Sequence, residues 1–317
     1  MASVRVGVLL DAFDPVCTGH IALCRAALRS EKLDRVVLVL REPEDAPCAV
    51  SRTDRWRMLT AACAADKALV PADGAALGSS LKKDFKADKI VRLSLPGDHD
   101  PSLCPSVAEY CDALGLYGRV PTVERAADHL DKLFPALNPH RFAHSLAVAA
   151  ESRRLALRFG ADPVRAEEAG LLHDCAKCLP LPEMQRAALE GGMAAGPEVL
   201  ASGALLHSLA GAVLARSLYG VTDPEELLAI EYHNTGFPGM SKLAMVVCLA
   251  DYIEPNRDSF PGLEETRRLA EVSLERALLL SLENTMDHVL SKGRWLHPRT
   301  SEAVRWLRTL PAVSAPD

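Results

Sequence analysis

The chain has 317 residues, 49% of them apolar and 25% charged; it is long enough for one large or two medium cores and has a globular rather than a disordered composition. Lysine and arginine balance aspartate and glutamate at 16 to 16 over residues 1–121 and fall short, 20 to 26, over the rest, so neither half has the basic excess of a nucleic-acid binder. No apolar stretch reaches the length of a membrane span, the first apolar run is too short for a secretory signal, and nine irregularly placed cysteines suit reduced thiols; a cytoplasmic protein without membrane or nucleic-acid partners is expected.

In chain order, "VRVGVLL" is a β-branched apolar run, "DAFDPVCTGH" a loop, "IALCRAALRS" a helix and "RVVLVL" a second apolar run, the pattern of a βαβ unit in a parallel sheet. "SRTDRWRMLTAACAADKAL" reads as a further helix and "KIVRLSL" as a strand. From Pro121 onward, strand signals stop and apolar residues recur at helical spacing, as in "RFAHSLAVAAESRRLALRFG", which Gly160 closes as a C-cap. The expected organisation is an α/β domain over residues 1–120 and an all-α domain over 121–317.

The helical part carries its ionisable groups at telling places: His144 in "RFAHSLAVAA", His173 and Asp174 in "GLLHDCAKCLP", His207 in "ALLHSLAG", His233 in "EYHNTGFPGMS" and Asp251 in "LADYIEPNRD". Singly, a histidine on an apolar helix face is more often a hydrogen-bonded core residue than a ligand. Together, so many ionisable groups in a helical core need one another or a cation, and imidazole with carboxylate suits a divalent transition metal. The same stretch contains Cys175 and Cys178, a CxxC pair, but it lacks both a second cysteine pair and the βαβ setting that gives such pairs redox meaning.

The order His, His-Asp, Asp in helices resembles the HD superfamily of metal-dependent phosphohydrolases, and the two intervening histidines resemble its two-metal branch. The strings "HDCAKCLP", "LLHSLAG", "YHNTGFPGMS", "LADYIEPNRD" and "GRWLHPRTSEAVRWL" resemble the YqeK family of diadenosine tetraphosphate hydrolases over roughly residues 123–310. The resemblance implies an all-α HD-domain bundle binding two divalent ions, iron foremost, with manganese or cobalt as alternatives. It implies one ion on His144, His173, Asp174 and Asp251 and a second on His207 and His233, with Asp174 bridging. It also implies a dinucleoside polyphosphate substrate cleaved to two ADP. Asp174 and Lys177 are the expected catalytic residues, and Arg257, Asn256, Thr235 and Gly236 the expected substrate contacts. His297 is expected only to cap or orient a helix, and a homodimer is left open.

"LLDAFDPVCTGH" resembles the GGxFDPxHxGH phosphate-binding loop of nicotinate-nucleotide adenylyltransferases, and "SRTDRWRML" and "SVAEYCDALGLYG" resemble later segments of that Rossmann-like fold. Here Leu10 with Asp11 or Ala12 stands where the glycines belong, and Cys17 replaces the first histidine, leaving His20. Asp11 would repel a triphosphate, so a degenerate nucleotide site is expected. The competing readings are an adenylyltransferase and a non-catalytic nucleotide sensor.

Overall fold

The structure, a computed structural model, describes residues 3–43 and 47–314. The chain forms two compact units, Met1–Thr122 and Val123–Asp317.

The first unit is built on a parallel sheet of β1 (Arg5–Asp11), β2 (Arg35–Leu40), β3 (Leu69–Asp73) and β4 (Lys89–Leu93) in the order β3-β2-β1-β4. Val8 pairs with Val37 on one side and Arg92 on the other, and Val37 pairs with Val70. The β-branched centres of β1 and β2 are buried, as parallel strands covered on both faces require. Helices α1 (Thr18–Ser30), α2 (Arg52–Cys63), α3 (Leu81–Asp84) and α4 (Pro105–Leu114) complete the unit. The α2 helix is shorter than its sequence pattern suggests: it ends at Cys63, and Leu69 already belongs to β3. That strand reads "LVPAD", and Pro71 masks it in the sequence. Pro71 is tolerated because β3 lies at the sheet edge, where a missing N–H costs no ladder bond.

The second unit is helical among its described residues: α5 (Ala126–Ala136), α6 (Pro139–Phe159), α7 (Pro163–Leu172), α8 (Leu181–Glu190), α9 (Pro197–Leu200), α10 (Gly203–Ser217), α11 (Pro224–Tyr232), α12 (Lys242–Ile253), α13 (Leu263–Leu269), α14 (Leu274–Ser291), α15 (Pro298–Leu307) and α16 (Pro311–Ser314). Its punctuation is chemical. Asn138, Asp162, Asp223 and Ser241 cap α6, α7, α11 and α12 with side-chain oxygens, prolines occupy the first turns of α6, α7 and α11, and Gly160 ends α6 at φ +73°. Helix α6 packs on α7 and α12, and α11 packs on α7, α10 and α12, so five helices converge on one interior. The α6–α7 approach is close enough that a Cβ on Gly170 would sit 3.0 Å from the Val148 carbonyl oxygen and 3.1 Å from the Ala149 Cα. No described helix is long and apolar enough to cross a membrane.

Candidate metal centre

Each of the five converging helices delivers one part of a buried polar cluster. His144 comes from the middle of α6, His207 from α10 and Asp251 from α12. His173 and Asp174 follow the end of α7 and His233 follows the end of α11, where the chain leaves the helix and a side chain can turn into the centre. All four imidazoles and Asp174 are buried, whereas the Asp251 side chain keeps 21% exposure.

Hydrogen bonds orient the rings. His173 Nδ1 lies 2.7 Å from the Gly170 carbonyl oxygen, His207 Nδ1 3.2 Å from that of Gly203 and His233 Nδ1 2.8 Å from that of Ile230. A carbonyl only accepts, so each Nδ1 carries the proton and each ring points Nε2, the nitrogen free to act as a ligand, inward. His144 makes the equivalent bond from Nδ1 to Glu254 Oε1 at 3.1 Å. The Nε2 atoms then approach one another, His207 to His233 at 3.2 Å and His144 to His173 at 3.3 Å. Where two such rings are neutral in this tautomer, lone pair meets lone pair, an unfavourable contact that a shared cation turns into ligation; against burial, Asp251 and Glu254 raise His144, so without a cation its Nε2 is drawn toward the Asp251 carboxylate.

The carboxylates face the same points. Asp174 Oδ2 lies 3.8 Å from His144 Nε2 and 3.7 Å from His173 Nε2, while Oδ1 lies 3.1 Å from His207 Nε2 and 3.7 Å from His233 Nε2. Asp251 Oδ1 stands 3.1 Å from His144 Nε2. Two ligand triplets result, His144–His173–Asp251 and His173–Asp174–His233, with donor atoms within 4.8 Å of one another in each. Asp174 Oδ1 is buried without an aligned hydrogen bond despite its proximity to His207, leaving it open to a cation. Imidazole nitrogens and carboxylate oxygens in this ratio fit iron, manganese, cobalt or zinc, and the residues present therefore fit a divalent-metal centre.

Electrostatics point the same way. Burial, reinforced by His173 and His207, pushes His233 down to about 3, and burial also lowers His173, so both rings remain neutral donors. Burial opposes ionisation of Asp174, but His173, His207 and Lys177 outweigh it and hold the carboxyl well below its usual range. Asp251 is held low against burial by His144 and Arg257.

Three partly exposed cations line this cluster. Lys177 Nζ is 3.4 Å from Asp174 Oδ1 and donates to His207 Nε2 at 3.0 Å. Arg141 Nη1 donates to Asp174 Oδ2 at 2.9 Å, and Arg257 Nη2 to Asp251 Oδ1 at 2.6 Å. Arg141 and Glu254 were not among the residues singled out from the sequence. Each lies three positions from a cluster member on the same chain segment, Arg141 before His144 and Glu254 after Asp251, and that spacing was the available signal. The other expected substrate contacts have roles within the fold. Gly236 takes φ +63°, with Leu282 and Ala303 filling the space of its absent Cβ; the Thr235 hydroxyl donates to the Gly236 carbonyl; and the Asn256 N–H donates to Glu254 Oε2. His297 caps α15, its Nδ1 accepting the Arg299 N–H at 3.1 Å.

The CxxC thiols face different surroundings. Cys175 is buried, with its thiol pushed up to about 12 by burial and the Asp174 charge, and its sulfur contacts the Gly211 carbonyl; Cys178 is exposed and accepts from Asn138. In the first unit, the Cys17 N–H donates to His20 Nδ1 at 3.0 Å, which leaves the imidazole proton on Nε2 facing Asp11 Oδ2 at 3.2 Å. Both ring nitrogens of His20 are thereby committed inside the protein.

Comparison with known proteins agrees with this geometry. Residues 141–256 match the HD domain, and residues 12–96 match the cytidylyltransferase-like family. A Bacillus subtilis protein named "Bis(5'-nucleosyl)-tetraphosphatase, symmetrical" is 42% identical over 176 residues, covering 54% of this chain and 91% of that protein. The chain belongs to this family. A Halalkalibacterium halodurans protein of the same name is 39% identical over 166 residues, covering 52% of this chain and 88% of its own length. A Mycoplasma genitalium "Probable nicotinate-nucleotide adenylyltransferase/Ap4A hydrolase" is 33% identical over 190 residues, 58% of this chain and 50% of that protein. Among solved structures, a Clostridium acetobutylicum protein titled a predicted HD superfamily hydrolase involved in NAD metabolism matches with TM-score 0.55 and 41% identity, covering 57% of this chain and 95% of its own. The second unit is thus an HD-type hydrolase fold and the first a Rossmann-like cytidylyltransferase fold.

Proposed function

We propose that the chain hydrolyses diadenosine tetraphosphate symmetrically to two ADP at a two-cation centre in its helical unit. The observation that carries this reading is the convergence of four imidazole Nε2 atoms on Asp174 and Asp251 with every Nδ1 tied to an oxygen acceptor. His144, His173, Asp174 and Asp251 would hold one cation, and His207 and His233 the other, with iron, manganese and cobalt all matching the donors. Asp174 suits a shared role because its two oxygens face the two histidine pairs. Cations held there would supply Lewis acidity toward phosphate and would acidify water for attack near neutral pH. Lys177, Arg141 and Arg257 already contact the carboxylates and balance the charge of a phosphate chain arriving beside them.

Removing and restoring the cations tests this reading. Chelator-treated protein should lose turnover of diadenosine tetraphosphate at unchanged helix content and regain it with ferrous, manganous or cobaltous ion; turnover that survives verified metal removal would sink the proposal.

For the first unit the reading is a degenerate nucleotidyltransferase, because the loop offers Asp11 and a committed His20 where a triphosphate needs donors. His20→Ala should accordingly leave diadenosine tetraphosphate turnover unchanged. ATP-dependent dinucleotide formation from nicotinate mononucleotide, present in the parent chain and lost in this variant, would restore the adenylyltransferase alternative.

A further inference from the structure

His144 differs from the other imidazoles of the cluster in what holds its far nitrogen. The Nδ1 atoms of His173, His207 and His233 donate to carbonyls three or four residues earlier in the chain. His144 Nδ1 instead faces Glu254 Oε1 at 3.1 Å, a carboxylate 110 residues away that caps the end of α12. On its other side, Nε2 meets a second carboxylate from the same stretch, Asp251 Oδ1, at 3.1 Å. The ring is held between the two, and of these Asp251 is the one that also faces His173 Nε2, at 3.8 Å.

Glu254 is fixed in this position. It is 2% exposed, its Oε2 accepts the Asn256 N–H, and its backbone carbonyl accepts Arg267 Nη2 at 2.7 Å. Arg267 Nε, from α13, also holds the Ile253 carbonyl at 3.0 Å and so secures the turn that carries the carboxylate. Arg257 Nε stands 4.0 Å from Oε1, with its Nη2 turned to Asp251, so His144 is the nearer partner of the buried charge. A carboxylate on the far nitrogen stabilises the positive charge that an imidazole gains when Nε2 donates to a cation, and this strengthens the donor. The opposite half of the centre carries the reverse bias. The Lys177 ammonium lies 3.0 Å from His207 Nε2 and 3.4 Å from Asp174 Oδ1, and it repels a cation drawn to His207 and His233.

We infer that Glu254 is a positioning residue for His144 and makes the His144–His173–Asp251 triplet the tighter of two unequal cation seats. The inference deepens the two-cation reading and rests on it. Glu254 acts through the ring, which separates it from the point where the Nε2 atoms converge.

The test needs no substrate. The full chain, freed of metal, is titrated with manganous ion against a competing chelator, and the free ion is counted by electron paramagnetic resonance. Two steps of unequal affinity are expected. Glu254→Gln, nearly isosteric and still an acceptor, should weaken the tighter step about tenfold, as loss of a ligand's outer partner does, and leave the weaker step unchanged. Arg267→Met loosens the turn without altering the partner of the ring and should weaken the same step by a smaller factor. At one equivalent of cobaltous ion, the visible absorption band of Glu254→Gln should move from that of the parent, a change that lost stability alone would not produce. Parental affinities in both variants, equal losses at both steps, or loss of the far-ultraviolet helical signal in both would overturn the inference. A parent chain that binds no cation would take the two-cation reading down with it. Binding in two steps without turnover of diadenosine tetraphosphate would contradict the substrate assignment alone.

Discussion

Asp174→Ala is expected to lower metal-dependent turnover by on the order of 10³-fold or more, about 4 kcal/mol of transition-state stabilisation. The reason lies in the two faces of this one carboxylate. Oδ2 stands before His144 and His173, Oδ1 before His207 and His233, and Oδ1 has no aligned hydrogen bond within the protein. Truncation removes the carboxylate that faces both histidine pairs of the proposed centre and leaves Arg141 and Lys177 to turn toward solvent, which their partial exposure permits. The helices should stay folded, because the side chain contributes charge to the interior rather than apolar contact. Bound metal per chain, turnover and far-ultraviolet circular dichroism measured together decide the matter. Full turnover in the variant would remove Asp174 from the mechanism, and collapse of the helical signal would show that its role is structural.

The second large effect is on stability. Gly170→Val should cost about 1–3 kcal/mol, the range for overpacking a tight interior, and lower the melting temperature by roughly 2–12 °C in a unit of this size. At this crossing of α6 and α7 the added Cβ meets the Ser152 hydroxyl at 2.6 Å, the Val148 carbonyl oxygen at 3.0 Å and the Ala149 Cα at 3.1 Å. Ser152 can rotate, but the two backbone atoms cannot move without shifting α6. The strain also reaches the centre, because the Gly170 carbonyl accepts the proton of His173 Nδ1 and so fixes that ring. Metal affinity should therefore fall together with melting temperature. A variant that melts with the parent chain would show that the two helices can separate at no cost.

The sequence makes the architecture of the helical unit legible because its signals are local. Asn138, Asp162 and Gly160 mark helix ends through their own chemistry, and the apolar spacing of α6 and α12 declares their buried faces. The histidines and aspartates of the cluster stand out for a related reason: ionisable groups among apolar neighbours contradict the local pattern and call for a common explanation. What escapes local reading depends on contacts between distant segments. Strand β3 carries a proline that a central strand would not tolerate, and only its edge position, a property of the assembled sheet, makes it a strand. Glu254 looks like part of the turn after α12 until His144, 110 residues earlier, is placed beside it. Arg257, expected as a substrate contact, also donates to the side chain and carbonyl of Asp251, a pairing that "EPNRD" alone does not disclose.

The most direct measurement is hydrolysis of diadenosine tetraphosphate by the manganese-loaded chain in ¹⁸O-labelled water, with mass spectrometry of the products. Attack by solvent at a central phosphorus predicts ADP as the only nucleotide product, with one labelled oxygen on a terminal phosphate for each pair of ADP molecules. ATP with AMP, or no cleavage by protein whose metal content has been verified, would contradict it.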